Sequence, residues 1–163
     1  MKGMLFKKMI HIAFFTDKLD EMMDFYMNKL GGELKVLTKY SVYKDRDDRP
    51  VFQKIAKEDP DRIFNAYIEI ADGQSIELFP KRDDQKPQPG YEEYAGFGHF
   101  ALLTDDIQET RRILKERGLE SITELSKGPS ETYQLWYQDP DGNRFEVMQY
   151  TNQSYQIVGH IDQ

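Results

Sequence analysis

Apolar positions along this chain follow two rhythms, and the order of those rhythms comes round twice. Residues 9–15 are mostly apolar and read as a strand. From Leu19 onward the apolar positions Leu19, Met22, Met23, Tyr26 and Leu30 recur at helical spacing. Displaced by 88 positions, His11-Ile-Ala-Phe-Phe-Thr16-Asp17 falls on His99-Phe-Ala-Leu-Leu-Thr104-Asp105. There His, Ala, Thr and Asp coincide and the positions between them are apolar. A second helical stretch, Ile107, Thr110, Ile113 and Leu114, follows. Gly31-Gly32 and Gly118 close the two helices.

A further match lies downstream. Displaced by 69 positions, Asp72-Gly73-Gln74-Ser75-Ile76-Glu77-Leu78 falls on Asp141-Gly142-Asn143-Arg144-Phe145-Glu146-Val147. Each segment opens on Asp-Gly, a strong hairpin signal, and runs into an apolar strand holding one Glu. Residues 63–71 and 132–138 alternate and read as the partner strands. The pattern thus predicts strand, helix, strand, strand, strand, written twice. The first copy places these at 9–15, 18–30, 33–43, 63–71 and 74–80; the second at 98–103, 106–117, 121–126, 132–138 and 144–150.

The predicted organisation is one combined α+β domain. It comprises a first module over 1–80 with a charged insertion at 44–62, a linker over 81–97, a second module over 98–150 and a polar tail over 151–163. Within the insertion, Val51, Phe52 and Ile55 are expected to pin a short helix to the body. The tail is expected to fray or to wrap a neighbour.

Composition narrows the chemistry. At 163 residues the chain is long enough to bury a core without staples, and the absence of Cys removes disulfides, thiolate nucleophiles and Cys-type metal sites. A net charge of −7 argues against nucleic acid, whose phosphates need a basic face. No apolar run approaches the ~20 residues that span a bilayer, and the basic N-terminal stretch lacks a cleavage site. The expectation is a cytoplasmic protein with neither membrane nor nucleic acid as partner.

The candidate site comes from the repeat. Two of the three histidines, His11 and His99, open matching strands, and Glu77 and Glu146 occupy matching places on the fourth strands. A single His in an apolar strand is ordinarily a core residue, and a Glu on an edge strand ordinarily faces solvent. Recurrence of both in register favours a metal site, because duplication erodes positions that nothing holds. Two imidazoles and two carboxylates suit a borderline divalent cation, whose charge the carboxylates neutralise. Period-two alternation puts Ala13 and Phe15 on the face of His11, Ser75 and Phe79 on that of Glu77, Ala101 and Leu103 on that of His99, and Arg144, Met148 and Tyr150 on that of Glu146. Trp136 lies on the strand beside Glu146. The predicted small-molecule pocket is therefore apolar, with Phe15, Phe79, Leu103, Trp136 and Met148 around a polar centre.

The paired modules, the His-Ile-Ala and His-Phe-Ala strand starts and the run Asp139-Pro140-Asp141-Gly142-Asn143-Arg144-Phe145-Glu146 resemble the vicinal oxygen chelate superfamily over residues 9–150. That superfamily includes glyoxalase I, methylmalonyl-CoA epimerase, extradiol dioxygenases, and fosfomycin and bleomycin resistance proteins. The resemblance implies two tandem βαβββ modules forming a cupped mixed β-sheet with helices outside, around one divalent ion. Mapped by motif, His11, Glu77, His99 and Glu146 fall on the four metal positions of the glyoxalase I type. A Glu in the fourth place favours that branch over the three-ligand dioxygenases. Glutathione-dependent glyoxalases carry an Arg four residues after the first metal His and an Asn four after the first metal Glu. Here Phe15 and Lys81 stand in those places, which points away from glutathione. The resemblance also implies a homodimer, and the linker permits pairing of modules within one chain or across two.

The chemistry that follows is a metal-dependent lyase or isomerase reaction. A Zn, Ni, Co, Mn or Fe(II) ion polarises two adjacent oxygens of a small α-oxygenated substrate, and Glu146 or Glu77 moves the proton, Glu146 having the better-matched flanking motif. The alternatives are a metal-free binding or resistance protein, an extradiol dioxygenase-like or epimerase-like enzyme, and an inactive interaction module.

Overall fold

The computed structural model describes residues 4–86, 92–93 and 95–162. It divides into two compact units, Met1–Gln85 and Lys86–Gln163. Pro87 and Pro89, part of the expected linker, lie outside the described residues.

In the first unit, β1 (His11–Thr16) leads into α1 (Leu19–Asp24), which continues as a π-helical turn over Phe25–Lys29. Then come β2 (Glu33–Lys39), a 3-10 turn (Tyr40–Tyr43), α2 (Pro50–Glu58), β3 (Ile63–Ala71) and β4 (Gln74–Pro80). The sheet order is β1-β4-β3-β2. Strand β1 lies parallel to β4, and the β3–β4 and β2–β3 pairs are antiparallel. Phe14 and Thr16 on β1 and Ile76 and Leu78 on β4 are buried, as are Met22, Phe25 and Tyr26 of the helix. The helix packs on β4, so the other sheet face carries His11, Ala13 and Phe15.

The second unit repeats the plan with β5 (His99–Leu103), α3 (Ile107–Glu116), β6 (Ser126–Lys127), β7 (Tyr133–Gln138) and β8 (Arg144–Gln149), followed by α4 (Tyr155–Val158). Its order is β5-β8-β7-β6, again with a parallel first pair. Phe100, Ile107, Leu114, Leu135, Tyr137, Phe145 and Val147 form the core. The Asp106 side chain caps α3 by accepting from the Glu109 amide at 3.0 Å. Two mixed sheets with helices make the chain α+β in tandem βαβββ order.

The Asp-Gly signals mark both hairpins. Gly73 (φ 62°) and Gly142 (φ 87°) take the left-handed conformation that a side chain resists. In the second turn the buried Asp139 carboxylate accepts from the Asp141 and Asn143 amides (3.0 and 2.8 Å) and from Asn143 Nδ2 (2.9 Å). Asp139 therefore builds the turn.

Four expectations need correction. The strand expected over 33–43 ends at Lys39, where the Tyr40 amide turns to the Arg62 carbonyl and the chain tightens into the 3-10 turn. Residues 121–126 form no strand before Ser126; the Ile122 amide reaches the Trp136 carbonyl, but the Trp136 amide donates to the Thr123 hydroxyl instead of continuing the ladder. In the insertion, Phe52 joins Tyr40, Tyr43 and Phe64 in a ring cluster and Ala56 is buried, whereas Val51 is 70% exposed and pins nothing. The tail docks on its own unit: buried Ser154 accepts from the Thr132 hydroxyl at 2.9 Å and donates to the Glu131 carbonyl at 3.0 Å.

Candidate functional site

The strand register assembles the site in pairs. His11 lies opposite Ser75 and Ala13 opposite Glu77, so His11 and Glu77 are diagonal neighbours on one face. Their Nε2 and Oε2 atoms are 3.4 Å apart, with the imidazole 36% exposed and the carboxylate side chain 7% exposed. In the second unit His99 lies opposite Arg144 and Ala101 opposite Glu146. There the Nε2–Oε2 distance is 3.6 Å. Two ligands on one tetrahedral ion at ordinary Zn–N and Zn–O lengths stand ~3.4 Å apart, so each pair has the spacing and the donor types that a divalent cation takes. Among the described residues no three His, Asp or Glu side chains gather into a metal-binding group; the donors stand as two pairs, one in each unit.

An aromatic ring supports each pair. Tyr67 lies opposite Glu77 and Trp136 opposite Glu146, which puts Trp136 on the carboxylate face. Tyr67 meets the His11 ring edge-on at 5.6 Å, and Trp136 meets the His99 ring at 4.6 Å. The expected apolar residues also pair across strands. Phe15 opposes and stacks on Phe79 with centroids 5.2 Å apart, while exposed Leu103 opposes half-buried Met148. The Arg82 guanidinium lies 5.7 Å from the Phe15 ring centre. Beyond Phe79 stands Phe64, linking this surface to the ring cluster of the insertion. Lys81 follows β4 directly, its amide bonded to the Thr16 carbonyl.

Burial pushes the Glu146 carboxyl above the usual carboxylate range, and the nearby His99 opposes the rise. Beside Glu77, burial and the neighbouring carboxylate push the Tyr67 phenol up to about 12. Asn65 Nδ2 also donates to Glu77 Oε1 at 2.8 Å. Neither Asn65 nor Tyr67 was among the expected site residues. The 69-residue displacement sets Tyr67 on Trp136 and Asn65 on Gln134, and unlike residues on the strand next to the one that carries the Glu leave no repeat signal.

Fold and residues together define a tandem βαβββ protein with one imidazole–carboxylate pair on the same sheet face of each unit. Residues 8–147 match the model of the Glyoxalase/Bleomycin resistance protein/Dioxygenase superfamily, and the chain belongs to that superfamily. It is 25% identical over 146 residues to a probable chloroplastic lactoylglutathione lyase of Arabidopsis thaliana, covering 88% of this chain and 36% of that one. The chain thus spans about a third of that relative's length. A glyoxalase family protein from Enterococcus faecalis has a similar structure, with a TM-score of 0.65 and 25% identity over 89% of this chain and 99% of that one. The fold is also that of the lactoylglutathione lyase from Agrobacterium tumefaciens, with a TM-score of 0.58 and 18% identity over 96% and 100% of the two chains. Among the described residues no helix is long and apolar enough to cross a membrane.

Proposed function

We propose that this chain is a divalent-metal-dependent lyase or isomerase of the glyoxalase I-like type, acting by proton transfer on a small α-oxygenated substrate with an apolar part. The observation that carries the reading is the imidazole–carboxylate pair at the same register position in both units, at 3.4 and 3.6 Å. His11, Glu77, His99 and Glu146 would hold one Zn, Ni, Co, Mn or Fe(II) ion, drawn from the two units of one chain or from two copies in a homodimer. When bound, the ion supplies Lewis acidity toward two adjacent substrate oxygens.

The chain's own residues supply the rest. Glu146 takes the proton from the carbon beside the carbonyl and returns it to the neighbouring carbon, leaving the carboxylate as it began. Its raised proton affinity runs in the direction a general base at neutral pH requires. Phe15, Phe79, Leu103, Trp136 and Met148 offer apolar surface to the body of the substrate. With Phe15 and Lys81 where an Arg and an Asn would meet glutathione, the usual contacts to that tripeptide are missing.

Two measurements test this. Protein purified without chelator and reloaded with Zn, Ni or Co should retain bound metal; less than about 0.1 ion per chain would favour the metal-free binding reading instead. The loaded protein, given a panel of α-hydroxyketones and 2-oxoaldehyde adducts in deuterated water, should exchange the α-hydrogen. No exchange across the panel would contradict proton-transfer catalysis.

A further inference from the structure

The two half-sites agree in backbone and differ in what surrounds their carboxylates. Glu77 is held from within its own unit. Asn65 donates to Oε1, while His11 faces Oε2. The Thr38 hydroxyl, directly across the β2–β3 ladder, donates to Asn65 Oδ1. Rotating the Asn65 amide would therefore break two hydrogen bonds, one of them buried. Tyr67 stands directly opposite Glu77 in the β3–β4 ladder with its ring against His11, and burial together with Glu77 pushes its phenol up.

The matching places in the second unit are filled differently. Gln134 stands where Asn65 stands, opposite Ser126 as Asn65 is opposite Thr38, and its amide lies against Gly128. Trp136 replaces Tyr67 and packs on His99. Among the described residues no side-chain hydrogen bond to Glu146 is seen, and the His99 imidazole lies 3.6 Å from its carboxylate.

We propose that Thr38, Asn65 and Tyr67 are positioning residues that fix Glu77 in a single orientation, a support with no counterpart among the described residues around Glu146. The inference rests on the metal-site reading above and goes beyond it, because that reading gives Thr38, Asn65 and Tyr67 no role. The physical reason is rotamer freedom. An unrestrained Glu side chain loses conformational entropy when it is ordered. The Asn65 amide already bonded to Oε1 orders it beforehand and leaves Oε2 for a cation.

The test is a Co2+ titration of the full chain, read by calorimetry and by visible absorption, with folding checked by thermal melting. Asn65→Ala should weaken Co2+ binding about 10–100-fold, the usual effect of losing an outer-shell partner, and Tyr67→Phe should weaken it several-fold. Both should alter the Co2+ visible bands, which report ligand geometry and which a merely structural role would leave unchanged. Gln134→Ala should bind within twofold of the unsubstituted chain with the same bands. The proposal is overturned if folded Asn65→Ala or Tyr67→Phe binds within twofold with unaltered bands, or if Gln134→Ala weakens binding as much as Asn65→Ala. Should Asn65→Ala fail to fold, Tyr67→Phe decides, since it removes one oxygen atom and keeps the ring. Failure of the unsubstituted chain to take up Co2+ would overturn the metal-site reading itself; normal uptake with indifferent variants would overturn only this one.

Discussion

Glu77 and Glu146 are both more than nine-tenths buried, and a buried carboxylate needs a partner or a purpose. Glu77 has Asn65 at 2.8 Å and His11 at 3.4 Å; Glu146 has His99 at 3.6 Å. Replacing Glu146 with Gln keeps the shape and removes the base, so turnover should fall by 10²–10⁴-fold, roughly what general-base catalysis contributes, with the melting temperature preserved. Steady-state kinetics beside a thermal melt would check this, and near-normal turnover would exclude Glu146 as the base. The His–Glu correspondence was legible in the sequence because the repeat marks identical residues. The Asn65–Tyr67 support was not, because in the second copy those places hold Gln134 and Trp136, and unlike residues leave no repeat signal. The repeated Thr16 and Thr104 were legible as a motif, yet their work is local: one accepts from the Lys18 amide, and the other bonds to the Thr110 hydroxyl.

Among the elements, the two hairpins were the most legible. Strands β3 and β4 occupy 63–71 and 74–80 as the alternation and the Asp-Gly turn predict. The failures came where side chains displace backbone pairing, as Thr123 does before β6, and where a turn competes with an extended run, as at Tyr40. The second hairpin depends on the Asp139 carboxylate. Asp139→Ala should cost about 2–3 kcal/mol by removing charge-assisted bonds to the turn, measured as a lower urea midpoint at unchanged slope. In the insertion, Phe52 lies 5.0 Å from Tyr43 and 5.5 Å from Phe64, ring centre to ring centre. Phe52→Ala should cost about 2 kcal/mol, less than a fully buried Phe, and the exposed Val51→Ala should stay within about 0.5 kcal/mol. Equal losses for both variants in urea unfolding would contradict the observed packing of α2.

For the whole molecule, α+β class and tandem βαβββ order followed from the doubled rhythm of apolar positions, and superfamily membership bears out the resemblance. Substrate identity was not legible, because Phe15 and Lys81 show only where a glutathione-type contact is missing. A cation that binds the folded chain and not the unfolded one must stabilise it. Zn2+ at 100 times its dissociation constant should add about 2.7 kcal/mol, read as a higher melting temperature that EDTA reverses. No shift at saturating metal would contradict binding to the folded state.

The claim that four side chains serve one cation is tested most directly by titrating Zn2+ into His11→Ala, Glu77→Gln, His99→Ala and Glu146→Gln beside the unsubstituted chain. A shared site predicts one ion for every four donors, with each substitution weakening that same binding event whichever unit carries it. Two independent binding events, one lost with His11 or Glu77 and the other untouched until His99 or Glu146 is changed, would contradict it.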